Sequence, residues 1–249
     1  MLNLLDFFHF LLKPDQVRLP IQGNKALLST LIFFIFLLPL TFLLSLPANL
    51  WTEPEKILVD MLADTLSSPS LFSVFFVVMI GPVWEEIIFR YALKFTPGRI
   101  LVSVLFLFAY LGLEIWSFIP SDTLPGGTEF WLPLALMINS GLAYGLSFLI
   151  MRLFPFVEWH KAASVQRPGL WGAYMHLLAF SFAQMHLFNY QILSPEGWLL
   201  AFCLNLPRWF LGLGLSYVRV RLGLIWAMVL HITNNGFSLL LFRFLVSQG

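Results

Sequence analysis

Glu85 and Glu86 stand side by side, with Arg90 four residues on, inside a stretch from Ser70 to Leu93 that otherwise reads as a membrane-spanning helix. Charge at that depth is costly, so such groups usually face a polar interior and act there. Glu86 and Arg90 are i,i+4 with the acid first, the favourable order, and can neutralise each other. Glu85 lies about 100° around the helix from Glu86, and is the carboxylate left to act on water. Gly81-Pro82 lies just upstream; proline removes a ladder hydrogen bond and kinks the helix, which would open a polar pocket at Glu85. Phe182 and His186 put an aromatic ring and an imidazole on one helix face, with Asn189 three residues beyond. His231 and Asn235 form a second i,i+4 polar pair, an imidazole and an amide able to donate jointly to an oxyanion. A water-activating carboxylate, a histidine and a pair of donors are parts of a hydrolytic site. The plainer readings are a structural ion pair for the glutamates and arginine, and helix–helix hydrogen bonds for the histidines. His176, a histidine without a motif, takes the plainer reading.

The elements that must hold these groups are membrane helices. The chain has 249 residues, of which 59% are hydrophobic and 17% aromatic. Charged residues make up 11%, against about a quarter in an ordinary soluble domain. This is the composition of an integral membrane protein. A net charge of +1 points to no nucleic-acid or acidic partner. Cys203, the single cysteine, sits in an apolar run; it permits no intrachain disulfide and reads as a buried, inert thiol. No cleavable signal pattern is expected. The short apolar piece Leu4–Leu12, broken by Asp6 and His9, is expected at the membrane interface.

A span needs about 20 apolar residues. The expected spans cover residues 26–46, 70–93, 100–119, 131–151, 172–192, 198–217 and 222–245. The fold class is therefore an all-α polytopic bundle of about seven spans; the alternative is an eighth, re-entrant or interfacial element near the N-terminus. Residues 1–25 form an N-terminal cytoplasmic or interfacial segment, and 26–249 form one transmembrane domain. No repeat or soluble domain is seen. The connections alternate in charge: Lys13, Arg18 and Lys25, then Lys94 and Arg99, then Arg152, Lys161 and Arg167, then Arg219 and Arg221 fall on one side. Glu53, Glu55, Asp60, Asp64, Asp122, Glu129 and Glu196 fall on the other, with Lys56 the one base among them. The basic side is cytoplasmic by the positive-inside rule, which puts the N-terminus there. Counted from that side, Glu85 and His231 lie about 9 residues deep and His186 about 14, a spread of roughly 8 Å. Glu114 and Arg208 read as a structural pair.

The motifs EExxxR, FxxxH and HxxxN, in that order on separate spans, resemble the CPBP family of CAAX proteases and bacteriocin-processing enzymes. The approach Gly223-Leu-Ile-Trp-Ala-Met-Val-Leu-His231 is similar to that family's lead-in to its last motif. The likeness covers about residues 70–95 and 180–236; the N-terminal third matches only as hydrophobic helix. The resemblance implies a CAAX-protease-like helical fold and an intramembrane glutamic-type endopeptidase. Glu85 with His186 would activate water, His231 and Asn235 would stabilise the oxyanion, and Glu86 and Arg90 would orient the first motif, with Phe182 and Asn189 in support. A metal-free site is the preferred reading and zinc the alternative; there is no HExxH. Partners would be the bilayer and a peptide or membrane-protein substrate, and the expected location is a bacterial plasma membrane. Glu86 and His186 are far apart in sequence for that family, and the insert between them leaves the subfamily and substrate open. The competing classes are an ion-coupled transporter and a noncatalytic scaffold or immunity-type protein. The sequence assigns no oligomeric state.

Overall fold

A computed structural model describes residues 2–15, 17–21, 23–51, 53–54, 58–60, 70–94, 96–117, 145 and 168–246. These are mostly helical. In chain order the main elements are α1 Leu4–Leu12, α2 Asn24–Ser45, β1 Leu58–Asp60, α3 Leu71–Phe75, a π-helical turn Phe76–Ile80, α4 Gly81–Phe89, α5 Pro97–Ser117, α6 Pro168–Met185, β2 Tyr190–Ile192, α7 Pro195–Arg221 and α8 Leu224–Val246. Among the described residues, four helical stretches are long and apolar enough to cross a membrane: Asn24–Leu50, Leu71–Leu93, Pro195–Arg221 and Leu224–Phe244. In α5 the apolar stretch Gly98–Gly112 is shorter. The expected span 131–151, and the acidic loop with Asp122 and Glu129, lie outside the described residues.

Local chemistry explains the boundaries. Asn3 caps α1 by accepting from the Asp6 amide at 2.7 Å, and Ser70 caps α3 through the Ser73 amide at 3.0 Å. Helix α7 begins with Pro195, whose missing N–H costs nothing in a first turn. It carries Glu196 in that turn and Arg219 and Arg221 in the last, each sign matching the helix dipole. Gly223 joins α7 to α8 with φ +123°, a conformation that a side chain would strain.

Two details depart from the sequence reading. The expected span 172–192 ends as helix at Met185, followed by a 3₁₀ turn His186–Asn189 and then β2. β2 pairs antiparallel with β1, Asp60 opposite Tyr190, so the all-α expectation gains a two-strand ladder. Ladder hydrogen bonds to β1 replace those a helix through residue 192 would have made. Second, α1 docks into the bundle. Phe7 and Phe10 are fully buried in an aromatic cluster where Phe7 meets Phe33 and Tyr217 at 5.3 and 5.4 Å. Asp6 accepts from the Tyr217 hydroxyl at 2.7 Å and from Arg221 Nε at 2.9 Å. Arg221 also pairs with Asp15. Charge and aromatic packing thus tie α1 down.

Helix α7 is the centre of the bundle, packed against α2, α6 and α8, while α4 packs against α5 and α8. The outer faces stay apolar: Leu71, Phe72, Ile35, Phe42, Leu240 and Phe244 are exposed. An apolar exterior of that extent suits lipid rather than water.

Candidate active site in the helix bundle

The π-helical turn before the first motif has a local cause. The Gly81 N–H bonds to the Phe76 carbonyl, five residues back. In the same register the next amide would serve Val77, but that residue is Pro82 and has no N–H. The orphaned Val77 carbonyl is met from another helix: Asn235 Nδ2 donates to it at 3.1 Å. Asn235 of α8 therefore caps the carbonyl that the proline leaves unpaired. A primary amide carries two N–H groups, so one remains for another acceptor. Asn234 Nδ2 donates to Asn235 Oδ1 at 3.4 Å.

One turn further on, the charged residues of α4 are enclosed. Glu86 and Arg90 have fully buried side chains 3.3 Å apart. Arg90 Nη2 also donates to the Gly212 carbonyl of α7 at 3.3 Å. That approach depends on Gly212. An added Cβ would lie 3.0 Å from Arg90 Nη2, 3.0 Å from Phe182 Cδ1 and 3.1 Å from the Ala179 carbonyl. Arg219 Nε donates to the Arg90 carbonyl at 3.1 Å, holding the end of α4.

His231 stands between the two glutamates. Its Nδ1 lies 3.0 Å from Glu86 Oε1 and its Nε2 3.5 Å from Glu85 Oε2. With the Glu86 carboxylate as acceptor, Nδ1 carries a proton. The contact with Glu85 is longer, and Glu85 Oε2 is buried without a hydrogen-bond partner among the described residues. Glu85 is the less enclosed acid, with 19% of its side chain exposed against none for Glu86.

Phe182 ties the three motifs together. The Arg90 guanidinium lies 4.1 Å from its ring centroid, a cation–π contact. The rings of His231 and His186 meet it edge to face at 5.5 and 5.1 Å. His186 Nδ1 donates to the Phe182 carbonyl at 2.9 Å, which leaves Nε2 as the acceptor of a neutral ring. No direct hydrogen bond joins His186 to Glu85 among the described residues; the imidazole that reaches Glu85 is His231. Asn189 closes the 3₁₀ turn that begins at His186. His176 Nε2 bonds to the Leu11 carbonyl at 3.1 Å, a helix-packing contact away from this cluster.

Arg208 is the residue whose place sequence reasoning missed. Its Nη1 is held by the Tyr190 hydroxyl at 2.6 Å and Asn205 Oδ1 at 2.9 Å. The side chain of Glu114, its expected partner, lies outside the described ones. A usable signal was present: an arginine inside an apolar helix, one turn before Gly212. Among the described residues, no three His, Cys, Asp or Glu side chains gather in a way that would hold a metal ion. His186 joins the cluster through Phe182, not through a shared ligand position.

Comparison of the chain with protein-family models, with curated proteins and with solved structures gives no match.

Proposed function

We propose that the protein is an intramembrane endopeptidase of the CAAX-protease-like glutamic type, in a bundle of about seven spans with its basic end in the cytoplasm. The observation that carries the reading is His231 placed between Glu85 and Glu86, with Arg90 balancing Glu86. This arrangement sets an imidazole beside a carboxylate that is partly open. Glu85 takes a proton from a water whose oxygen bonds to the scissile carbonyl carbon. His186 Nε2, the open acceptor, shares that proton. His231, its Nδ1–H kept on Glu86, donates to the oxyanion through a protonated Nε2 released from Glu85, beside the spare N–H of Asn235. The C–N bond then breaks as the proton passes to nitrogen, leaving a carboxylic acid and an amine. Substrates are membrane-associated or lipidated peptides and membrane-protein segments.

One observation favours a second reading, a noncatalytic scaffold or immunity-type protein: Asn235 and His186 both spend a donor on a backbone carbonyl. The test is cleavage of a quenched-fluorescent peptide library, lipidated and unlipidated, by the purified wild type and Glu85→Gln in detergent. Loss of a general base lowers the rate by about 10²–10⁴, so cleavage should fall by that much while the fold is kept. Cleavage that survives a chelator supports the metal-free site; cleavage abolished by it supports the zinc alternative. Equal cutting by both proteins assigns the cleavage to another catalyst and overturns the site; no cutting by either across the library favours the scaffold.

A further inference from the structure

The end of the bundle where α7 stops and α8 starts carries a cavity of about 150 Å³, lined by Arg18, Leu93, Lys94, Arg219, Val220 and Gly223. That is well above the roughly 10–15 Å³ that admits a single water. Three of the six lining residues are cations, and none is an acid. Among the described residues, none of the three has a salt bridge to a carboxylate, in contrast to Arg221 nearby, which pairs with Asp6 and Asp15.

Two of these cations are partly tied in place. Arg18 Nη2 donates to the Leu222 carbonyl at 3.3 Å, and Arg219 Nε to the Arg90 carbonyl at 3.1 Å. Each guanidinium has five N–H donors, so most of each fork remains for another acceptor. Lys94 is exposed. Partial desolvation, and then the charges of Arg99, Arg219 and Arg18, hold its ammonium below the usual lysine range. Like charges held together without an acid are costly unless an anion joins them. The opening residues of α8 adjoin Gly223, and a helix N-terminus adds a favourable potential for negative charge.

We infer that this cavity binds a phosphate-bearing anion, either the headgroup of an anionic lipid or free phosphate, gripped by Arg18, Lys94 and Arg219. The inference is independent of peptide hydrolysis. Guanidinium forks match phosphate oxygens in geometry, and a basic pocket at the end of membrane helices suits an anionic headgroup.

The full-length chain in neutral detergent tests it, with thermal stability followed during three titrations: short-chain phosphatidylglycerol, short-chain phosphatidylcholine and inorganic phosphate. Saturable stabilisation by phosphatidylglycerol and not by phosphatidylcholine is expected, with about a fivefold loss of apparent affinity for each charge removed in Lys94→Gln and Arg18→Gln. Lys13→Gln, an exposed cation outside the cavity, should leave the affinity unchanged. Stabilisation by phosphatidylglycerol alone assigns a lipid headgroup, and equal stabilisation by inorganic phosphate assigns free phosphate; both support the site. The inference is overturned if neither anion stabilises the wild type, if a variant carrying both Lys94→Gln and Arg18→Gln binds as tightly as wild type, or if Lys13→Gln weakens binding as much as Lys94→Gln. Unliganded stability of each variant shows whether it has folded. Lys94→Gln keeps the test open if Arg18→Gln loosens the α7–α8 turn.

Discussion

Glu86 and Arg90 can be separated experimentally from any catalytic role, because their burial sets a stability cost that needs no substrate to read. Both side chains are fully enclosed at 3.3 Å. Glu86→Gln leaves the guanidinium buried without its near carboxylate. Arg90→Met keeps an unbranched stem over Phe182 while removing the cation, and leaves Glu86 buried with His231 as its one close partner. Stranding one half of a buried pair costs about 3–5 kcal/mol, whereas replacing both halves by neutral groups of similar size is often near neutral. At about 2–4 °C per kcal/mol for a chain of this size, each single variant should lower the unfolding midpoint by roughly 6–20 °C. The double variant should recover most of that loss, so the two changes couple strongly rather than add. The assay is thermal unfolding in detergent, followed by tryptophan fluorescence and checked by denaturant titration. Single variants within about 1 kcal/mol of wild type, or a double variant that loses the sum of the two, would refute the buried-pair argument.

The other predictions concern the Asn235 cap and the docking of α1. Asn235→Leu strands the Val77 carbonyl and should cost about 1–3 kcal/mol. In a Pro82→Ala background the restored N–H can take over that carbonyl, so the same change should cost less; an equal cost in both backgrounds would dissociate Asn235 from the proline. For Asp6, burial raises its pKa, but the hydrogen bonds from Arg221 and Tyr217 outweigh burial and hold it below its ordinary value of 3.8. The stability it gives to α1 is therefore full above about pH 4 and lost as pH falls through the lower, folded value. Protection of the α1 amides, taken relative to the intrinsic exchange rate at each pH, should fall over that acid range in wild type and be flat in Asp6→Asn; matching profiles would reject the tie.

The apolar helices long enough to cross a membrane and the Glu86–Arg90 pair were legible in one dimension. Low charge, about 20-residue apolar runs and i,i+4 spacing are local properties, and Glu86–Arg90 is a local pair that helix geometry alone predicts. Partner choice across helices was not legible. Glu85 meets His231, and Asn235 turns to a carbonyl that exists as an orphan only because the turn before Pro82 is π-helical. Nothing in the local pattern says which of two imidazoles from distant helices will reach a given carboxylate. The end of α6 at Met185 was hidden for a related reason: its continuation is drawn into pairing with β1, more than a hundred residues earlier in the chain. The basic residues of the cavity were visible as charges in alternate connections between the apolar stretches, but only the packing of α7, α8 and the end of α4 brought three of them around a single space. Sequence by itself determined which groups would be forced out of lipid, because hydropathy and helical period are properties of each segment. Tertiary structure alone decided which of those groups face one another, because that depends on helix rotation and register set by close packing at positions such as Gly212.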